Sequence, residues 1–213
     1  MVWYRPLNRL LAHQGISLVL DGGANIGQYA SELRRQGYAG RIVSFEPQPQ
    51  VFQQLATAAR ADGNWTAMNI GLGDETGELA MNICAATDCG SLLKPVAGAQ
   101  PEAIVLRQQM VPVRRLDGIW HELRRPGEKV FLKLDVQGYE KKILTGVGDC
   151  LDQVLGVQLE MSLQPLYEGQ PSWVEMVHFM LEKGFTLWKV EPGTWNPETG
   201  RESEMDGIFF RTG

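Results

Sequence analysis

The run Leu18-Val-Leu-Asp-Gly-Gly-Ala-Asn-Ile-Gly27 constrains this chain more than any other stretch. Leu18, Val19 and Leu20 form a short apolar segment, the pattern of a strand buried on both faces of a parallel sheet. Asp21 is expected to end that strand. Gly22 to Gly27 then reads as a tight turn, and residues 28–36 as the helix that follows it. Strand, glycine turn and helix make the entry unit of a nucleotide-binding α/β fold. Glycines there suit the close approach of a ligand to backbone that a Cβ would block. The dinucleotide fingerprint G-x-G-x-x-G fits imperfectly, because Ala24 stands where a pyrophosphate needs its closest approach.

A glycine turn of this kind also occurs for purely structural reasons, so the ends of the other strands decide its meaning. Arg41-Ile-Val-Ser-Phe-Glu46 reads as the second strand, and Pro47 blocks its continuation. Glu46 lies 19 residues past Gly27. In nucleotide-binding α/β folds, an acid at about that spacing and at a strand's carboxyl end accepts hydrogen bonds from ribose hydroxyls. A carboxylate can accept from both hydroxyls at once. Residues 65–70 read as the third strand, and Asn69 at its end is where an adenine edge would lie.

Residues 50–60 read as a helix with Val51, Phe52, Leu55 and Ala59 inward, and residues 3–14 as a helix with Trp3, Leu7, Leu10 and Leu11 packed on the sheet. Residues 71–113 break the alternation of strand and helix. Residues 78–83 read as a short strand, 87–100 as a loop holding Ser91 as a possible substrate contact, and 110–113 as a strand edge leading into a helix over 116–123. A loop that long in a compact domain is usually functional.

The second anchor is Val130-Phe-Leu-Lys-Leu-Asp-Val-Gln-Gly-Tyr-Glu140. The period of two places Phe131, Lys133 and Asp135 on one side, and Asp135 on the same rim as Asp21 and Glu46. Lys133 in so apolar a strand needs a partner, because an unpaired buried charge costs several kcal/mol. Asp135, or Glu160 at the end of a strand over 154–160, would supply it. A helix over 173–183 is expected to turn Trp173, Val177, Met180 and Leu181 inward, and residues 185–190 and 207–211 form a final strand pair. His13 and His178 read as structural or surface residues, and Trp195 as packing.

With 213 residues the chain reads as a single domain over 1–213, large enough for a core without staples. A net charge of −5 argues against broad binding to nucleic acid. Three cysteines without zinc-type spacing read as reduced. No apolar run spans a bilayer and no signal peptide is evident, so a cytoplasmic enzyme with no membrane partner is expected. Oligomeric state is left open.

Asp21-x-Gly23-x-Asn25-x-Gly27 resembles the first motif of S-adenosylmethionine-dependent methyltransferases. Taken with Phe45-Glu-Pro47, Lys133-Leu-Asp-Val-Gln-Gly-Tyr-Glu140, Leu159-Glu160 and Met205-Asp-Gly-Ile-Phe-Phe-Arg211, the chain resembles the FkbM family of methyltransferases over about residues 15–211. Gln137 departs from the glutamate common there. The resemblance implies a Rossmann-like class I methyltransferase fold, with a seven-stranded, mostly parallel sheet, an antiparallel last strand and helices on both faces. It also implies S-adenosylmethionine as methyl donor, held by Asp21, Gly23, Asn25, Gly27, Glu46 and Asn69. A small-molecule or glycan hydroxyl is the expected acceptor. Asp135 and Glu160 are the expected base and orienting acid, with Asp206 a third acid near the pocket. Oxygen ligands at two neighbouring strand ends could also hold a divalent cation such as Mg²⁺, although no dedicated cage is evident. The rival readings are an NAD(P)-dependent oxidoreductase and a non-catalytic cofactor- or sugar-binding module.

Overall fold

The computed structural model describes residues 7–100, 103–196 and 198–211. In chain order the elements are α1 (Leu7–Gln14), β1 (Leu18–Gly22), α2 (Gln28–Arg35), β2 (Arg41–Phe45), α3 (Pro49–Arg60), β3 (Trp65–Met68), β4 (Gly71–Leu72), β5 (Gly77–Cys84), β6 (Val105–Arg114), α4 (Leu116–Leu123), β7 (Val130–Leu134) and α5 (Glu140–Val147). A 3₁₀ turn (Gly148–Gln153) leads to β8 (Val154–Ser162), α6 (Trp173–Glu182), β9 (Phe185–Pro192) and β10 (Glu204–Arg211).

Seven strands form one sheet in the order β3-β2-β1-β7-β8-β10-β9. The pairs from β3 to β8 are parallel, and β10, last in the chain, runs antiparallel between β8 and β9. Strand alternation sorts the apolar side chains into two cores. Leu18, Leu20, Leu132 and Leu134 meet α4, α5 and α6 on one face, while Val19, Phe131, Ile208 and Phe210 meet α1, α2 and α3 on the other. With both faces covered, the central strands are largely apolar, with Asp21, Ser44 and Lys133 near their carboxyl ends.

β1 does not stop at Asp21: Asp21 and Gly22 continue the ladder, opposite Ser44 and Phe45 on one side and Lys133 and Leu134 on the other. The strand tolerates the acid because buried partners satisfy it. Residues 71–114 build a second sheet, β4-β6-β5, in which β6 is ten residues long rather than a four-residue edge. Its first five positions are exposed or polar, so no apolar alternation marks them. Leu7 and Leu11 of α1 are buried as expected, whereas Trp3 lies outside the described residues.

α6 is rotated from the expected face. Met176 and Met180 are buried, while Trp173 and Leu181 are 39% and 51% exposed. Seven of the ten positions of this helix are apolar, so periodicity does not single out one stripe. It starts at Trp173 as expected, where Ser172 and Glu175 form a capping box. Trp195 is exposed rather than packed, and His178 pairs with Glu182 on the surface at 3.1 Å. Cys84, Cys89 and Cys150 form no disulfide with one another. No helix among the described residues is long and apolar enough to cross a membrane.

Candidate active site

The carboxyl ends of β1, β2 and β7 converge on a cavity of about 490 Å³. Its wall includes Gly23, Ala24 and Asn25 of the glycine turn, Glu46 after β2, Asp135 after β7, and Tyr29, Gln158 and Asp206 across from them.

The turn is held by the protein's own backbone. Ala24 N–H donates to Phe45 O at 3.0 Å, and Asp135 N–H to Gly22 O at 3.2 Å. A Cβ on Gly23 would fall 1.8 Å from the Asp135 carbonyl, and one on Gly27 would fall 2.7 Å from the Trp65 ring. Both residues have positive φ, +73° and +93°. These two glycines are therefore required by packing and backbone conformation first. Gly27 caps α2 and is not part of the cavity wall.

Glu46 is 4% exposed. Its Oε2 accepts from Asn25 N–H at 3.0 Å and its Oε1 from Gln48 N–H at 2.8 Å. Burial raises its pKa to about 7, against the pull of those two N–H groups. Each oxygen still has accepting capacity facing the cavity. Asn25 Oδ1 is buried without a hydrogen-bond partner on the same wall, an acceptor left for a ligand. Asn69 sits behind this wall, donating to the Glu46 and Pro47 carbonyls at 2.9 and 3.2 Å.

Asp21 is fully buried and lies beneath the cavity. Its Oδ2 accepts from Ser44 Oγ at 2.9 Å, and Ser44 Oγ accepts from Trp65 Nε1 at 3.0 Å. Its Oδ1 lies 3.3 Å from Lys133 Nζ. Lys133 also approaches Asp135 Oδ2 at 3.4 Å, donates to Gly23 O at 3.3 Å, and lies 5.1 Å from the centre of the Tyr29 ring. Burial pulls the Lys133 ammonium down, but Asp135 and Asp21 outweigh it and leave its pKa above the usual lysine value. The expected partner Asp135 is thus joined by Asp21, one strand away, and not by Glu160.

Glu160 lies behind the wall, where its Oε2 accepts from Gln137 Nε2 at 2.9 Å. Burial, then the nearby charge of Asp135, pushes its carboxyl well above the usual range. Asp206 does line the cavity, and burial with Asp135 close by raises it to about 6. Among the described residues no group of three or more His, Cys, Asp or Glu is arranged to hold a metal ion. Gln137 Nε2 stands between the Asp135 and Glu160 carboxyls.

Ser91 is buried in the wall, but its hydroxyl is engaged, donating to Gln137 O at 2.7 Å and accepting from Leu93 N–H at 2.9 Å. The loop carrying it is tied to the segment after β8 by Val96 N–H to Leu166 O and Glu168 N–H to Lys94 O, both 2.8 Å. Sequence reasoning missed Tyr29, Gln158 and Tyr167. Tyr29 donates to Gln158 Oε1 at 3.0 Å across the cavity, a contact 129 residues apart in sequence.

A parallel sheet with an antiparallel strand inserted before its edge, and a crevice at the carboxyl ends of its central strands, defines a Rossmann-like class I methyltransferase fold. The chain belongs to the FkbM methyltransferase family: the methyltransferase FkbM domain matches residues 21–187. It is 28% identical over 196 residues to Methyltransferase 1 of Beauveria bassiana (strain ARSEF 2860), covering 85% of this chain and 76% of that protein. Among solved structures it resembles an rRNA methylase from Streptococcus thermophilus, with a TM-score of 0.53 and 12% identity over the whole of both chains. It also resembles the 1,6-didemethyltoxoflavin-N1-methyltransferase of Burkholderia thailandensis, solved with bound 1,6-didemethyltoxoflavin and S-adenosylhomocysteine, with a TM-score of 0.51 and 13% identity over 98% of this chain and 78% of that one. Membership of a methyltransferase family sets the nicotinamide oxidoreductase reading aside.

Proposed function

We propose that the protein is an S-adenosylmethionine-dependent O-methyltransferase acting on a hydroxyl of a small molecule or glycan. The observation that carries this reading is one cavity walled by Glu46 and the unpartnered Asn25 Oδ1 on one side and by Asp135 and Asp206 on another. The residues present fit the cofactor. Glu46 would accept from the ribose hydroxyls and Asn25 Oδ1 from the amino group, with Gly23 giving backbone-close access. When bound, S-adenosylmethionine supplies a methyl group already activated on a sulfonium.

The protein's work is then alignment and proton removal. Asp135 takes the proton of the acceptor hydroxyl. Lys133 stabilises the Asp135 carboxylate from one side, at 3.4 Å. Glu160 orients that carboxylate through Gln137 rather than touching the acceptor. Asp206, Gln158 and the Tyr29 hydroxyl offer further polar contacts suited to an acceptor with several hydroxyls.

Calorimetric titration with S-adenosylmethionine and, separately, NAD(H) and NADP(H) tests the cofactor. Saturable binding of S-adenosylmethionine alone is expected, weakened about tenfold or more in Glu46→Ala by loss of the ribose acceptor. Binding of a nicotinamide cofactor alone would overturn the reading. Methyl turnover on a panel of methyl glycosides and small phenols tests the acceptor, and a preference for amines would contradict O-methylation. Cofactor binding without turnover on any acceptor would instead favour a non-catalytic module.

A further inference from the structure

Gln137 is where four parts of the site meet. It follows β7 in a left-handed backbone conformation, φ 58°, that residues with a Cβ rarely adopt. Such a conformation persists where its surroundings over-determine it. Here they do. Gln137 Nε2 donates to Asp135 Oδ1 at 3.1 Å and to Glu160 Oε2 at 2.9 Å. Its Oε1 accepts from the Tyr167 hydroxyl at 2.6 Å, and its backbone carbonyl from Ser91 Oγ at 2.7 Å. Turned over, the amide would aim its oxygen at Asp135 Oδ1, which disfavours that orientation.

The groups facing this cluster are Lys133 and Asp135 of the β7 end, Glu140 of α5, Glu160 of β8, Glu204 and Asp206 of β10, Tyr167 of the loop after β8, and the thiols of Cys84 and Cys89 beside Tyr167. Among them only Lys133 is cationic, and it approaches Asp135 through Oδ2, leaving Oδ1 to Gln137. Two carboxyl groups in one site disfavour each other's ionisation, and a donor shared between them offsets this. Glutamine supplies that donor without adding a charge.

We propose that Gln137 is a positioning residue: its amide, oriented by Tyr167, bridges Asp135 to Glu160 and holds the Asp135 carboxyl turned to the cavity. The consequence for turnover rests on Asp135 being the proton acceptor; the bridge itself does not. Tyr167 and Ser91 thus join the loop after β8 and the loop after β5 to the same residue.

Carboxyl-carbon NMR titration of the full chain, with Asp and Glu labelled and assigned through Asp135→Asn and Glu160→Gln, tests the bridge. In Gln137→Met the higher of the pair's macroscopic midpoints is expected to rise by about one pH unit or more, because a donor to the charged form is lost. Midpoints equal to wild type overturn the proposal. Should Gln137→Met fail to fold, Tyr167→Phe decides, with a smaller rise expected and no rise counting against the bridge. Turnover separates this inference from the assigned function. A wild type that transfers no methyl group from S-adenosylmethionine to any glycoside or phenol refutes the function, while the titration still judges the bridge. In an active enzyme, Gln137→Met is expected to lower kcat about tenfold or more with KM for S-adenosylmethionine within about threefold. Gln137→Glu, whose carboxyl donates only when protonated, is expected to regain turnover as pH falls, and a turnover profile parallel to wild type would contradict the proposal.

Discussion

At the residue scale the site is governed by how few cations answer its acids. Lys133 is shared between Asp21 and Asp135, so the charge that stabilises the sheet interior also sets the reactive rim. Lys133→Met keeps the length of the side chain but leaves Asp21 buried beside Ser44 alone. A loss of about 3–5 kcal/mol in denaturant unfolding is expected, and a loss under 1 kcal/mol would show that the pair is not needed. Asp135→Asn removes the proposed base while leaving an oxygen and a donor in place. Turnover is expected to fall on the order of 10²-fold or more, with affinity for S-adenosylhomocysteine nearly unchanged. If the rate survives, Asp135 is not the base. Asp206 titrates near 6 in the fold because burial and Asp135 disfavour its charge. An activity limb rising with pH through about 6, flattened in Asp206→Asn, is expected if its carboxylate assists the acceptor.

At the scale of elements, the β1–α2 turn is a packing device before it is a binding loop. A Cβ at position 23 would enter the Asp135 carbonyl, and β7 cannot retreat because it is paired to β1 and β8. Gly23→Ala is therefore expected to destabilise by more than about 3 kcal/mol, combining a clash with an unfavourable positive φ. Melting temperature and cofactor affinity should fall together. Selective loss of affinity with an unchanged melting temperature would assign the glycine to ligand approach alone.

At the scale of the molecule, several buried acids share one direction of shift. Burial raises Glu46, Glu140 and Glu204 from 4.5 to about 7, and Asp206 from 3.8 to about 6. Between those values the folded chain holds more protons than the unfolded one, so their contribution is complete at acid pH and is lost as pH rises through 7. Asp62 and Asp117, held low by Arg34 and Arg115, stabilise the fold above about pH 4 and lose that contribution only as pH falls below it. The ligand-free protein is expected to melt at a higher temperature at pH 5 than at pH 8. Melting that rises steadily across this interval would show that these carboxyls are charged and compensated in the fold.

The elements whose chemistry is local were legible in the amino-acid sequence. The glycine turn, the acid 19 residues beyond it and the apolar strand carrying Lys133 and Asp135 announce themselves through spacing, periodicity and a breaker such as Pro47. The inward face of α6 was not, because Trp173, Met176, Met180 and Leu181 are equally apolar and only the sheet chooses among them. Nor was the first half of β6, whose ladder with β5 is satisfied by backbone hydrogen bonds that place no demand on side-chain type. Sequence by itself determined the parallel α/β architecture, the family and the rim on which Asp21, Glu46 and Asp135 fall. Tertiary structure alone decided which of these face the cavity and which are spent inside the protein. It buried Asp21 under Lys133, turned Asn69 onto the backbone of Glu46, and joined Gln137 to Glu160 and Tyr167. The reason is physical: a buried polar atom is satisfied by whatever donor or acceptor the fold brings within about 3 Å, and residues 23 and 30 positions apart carry no local sign that they will meet.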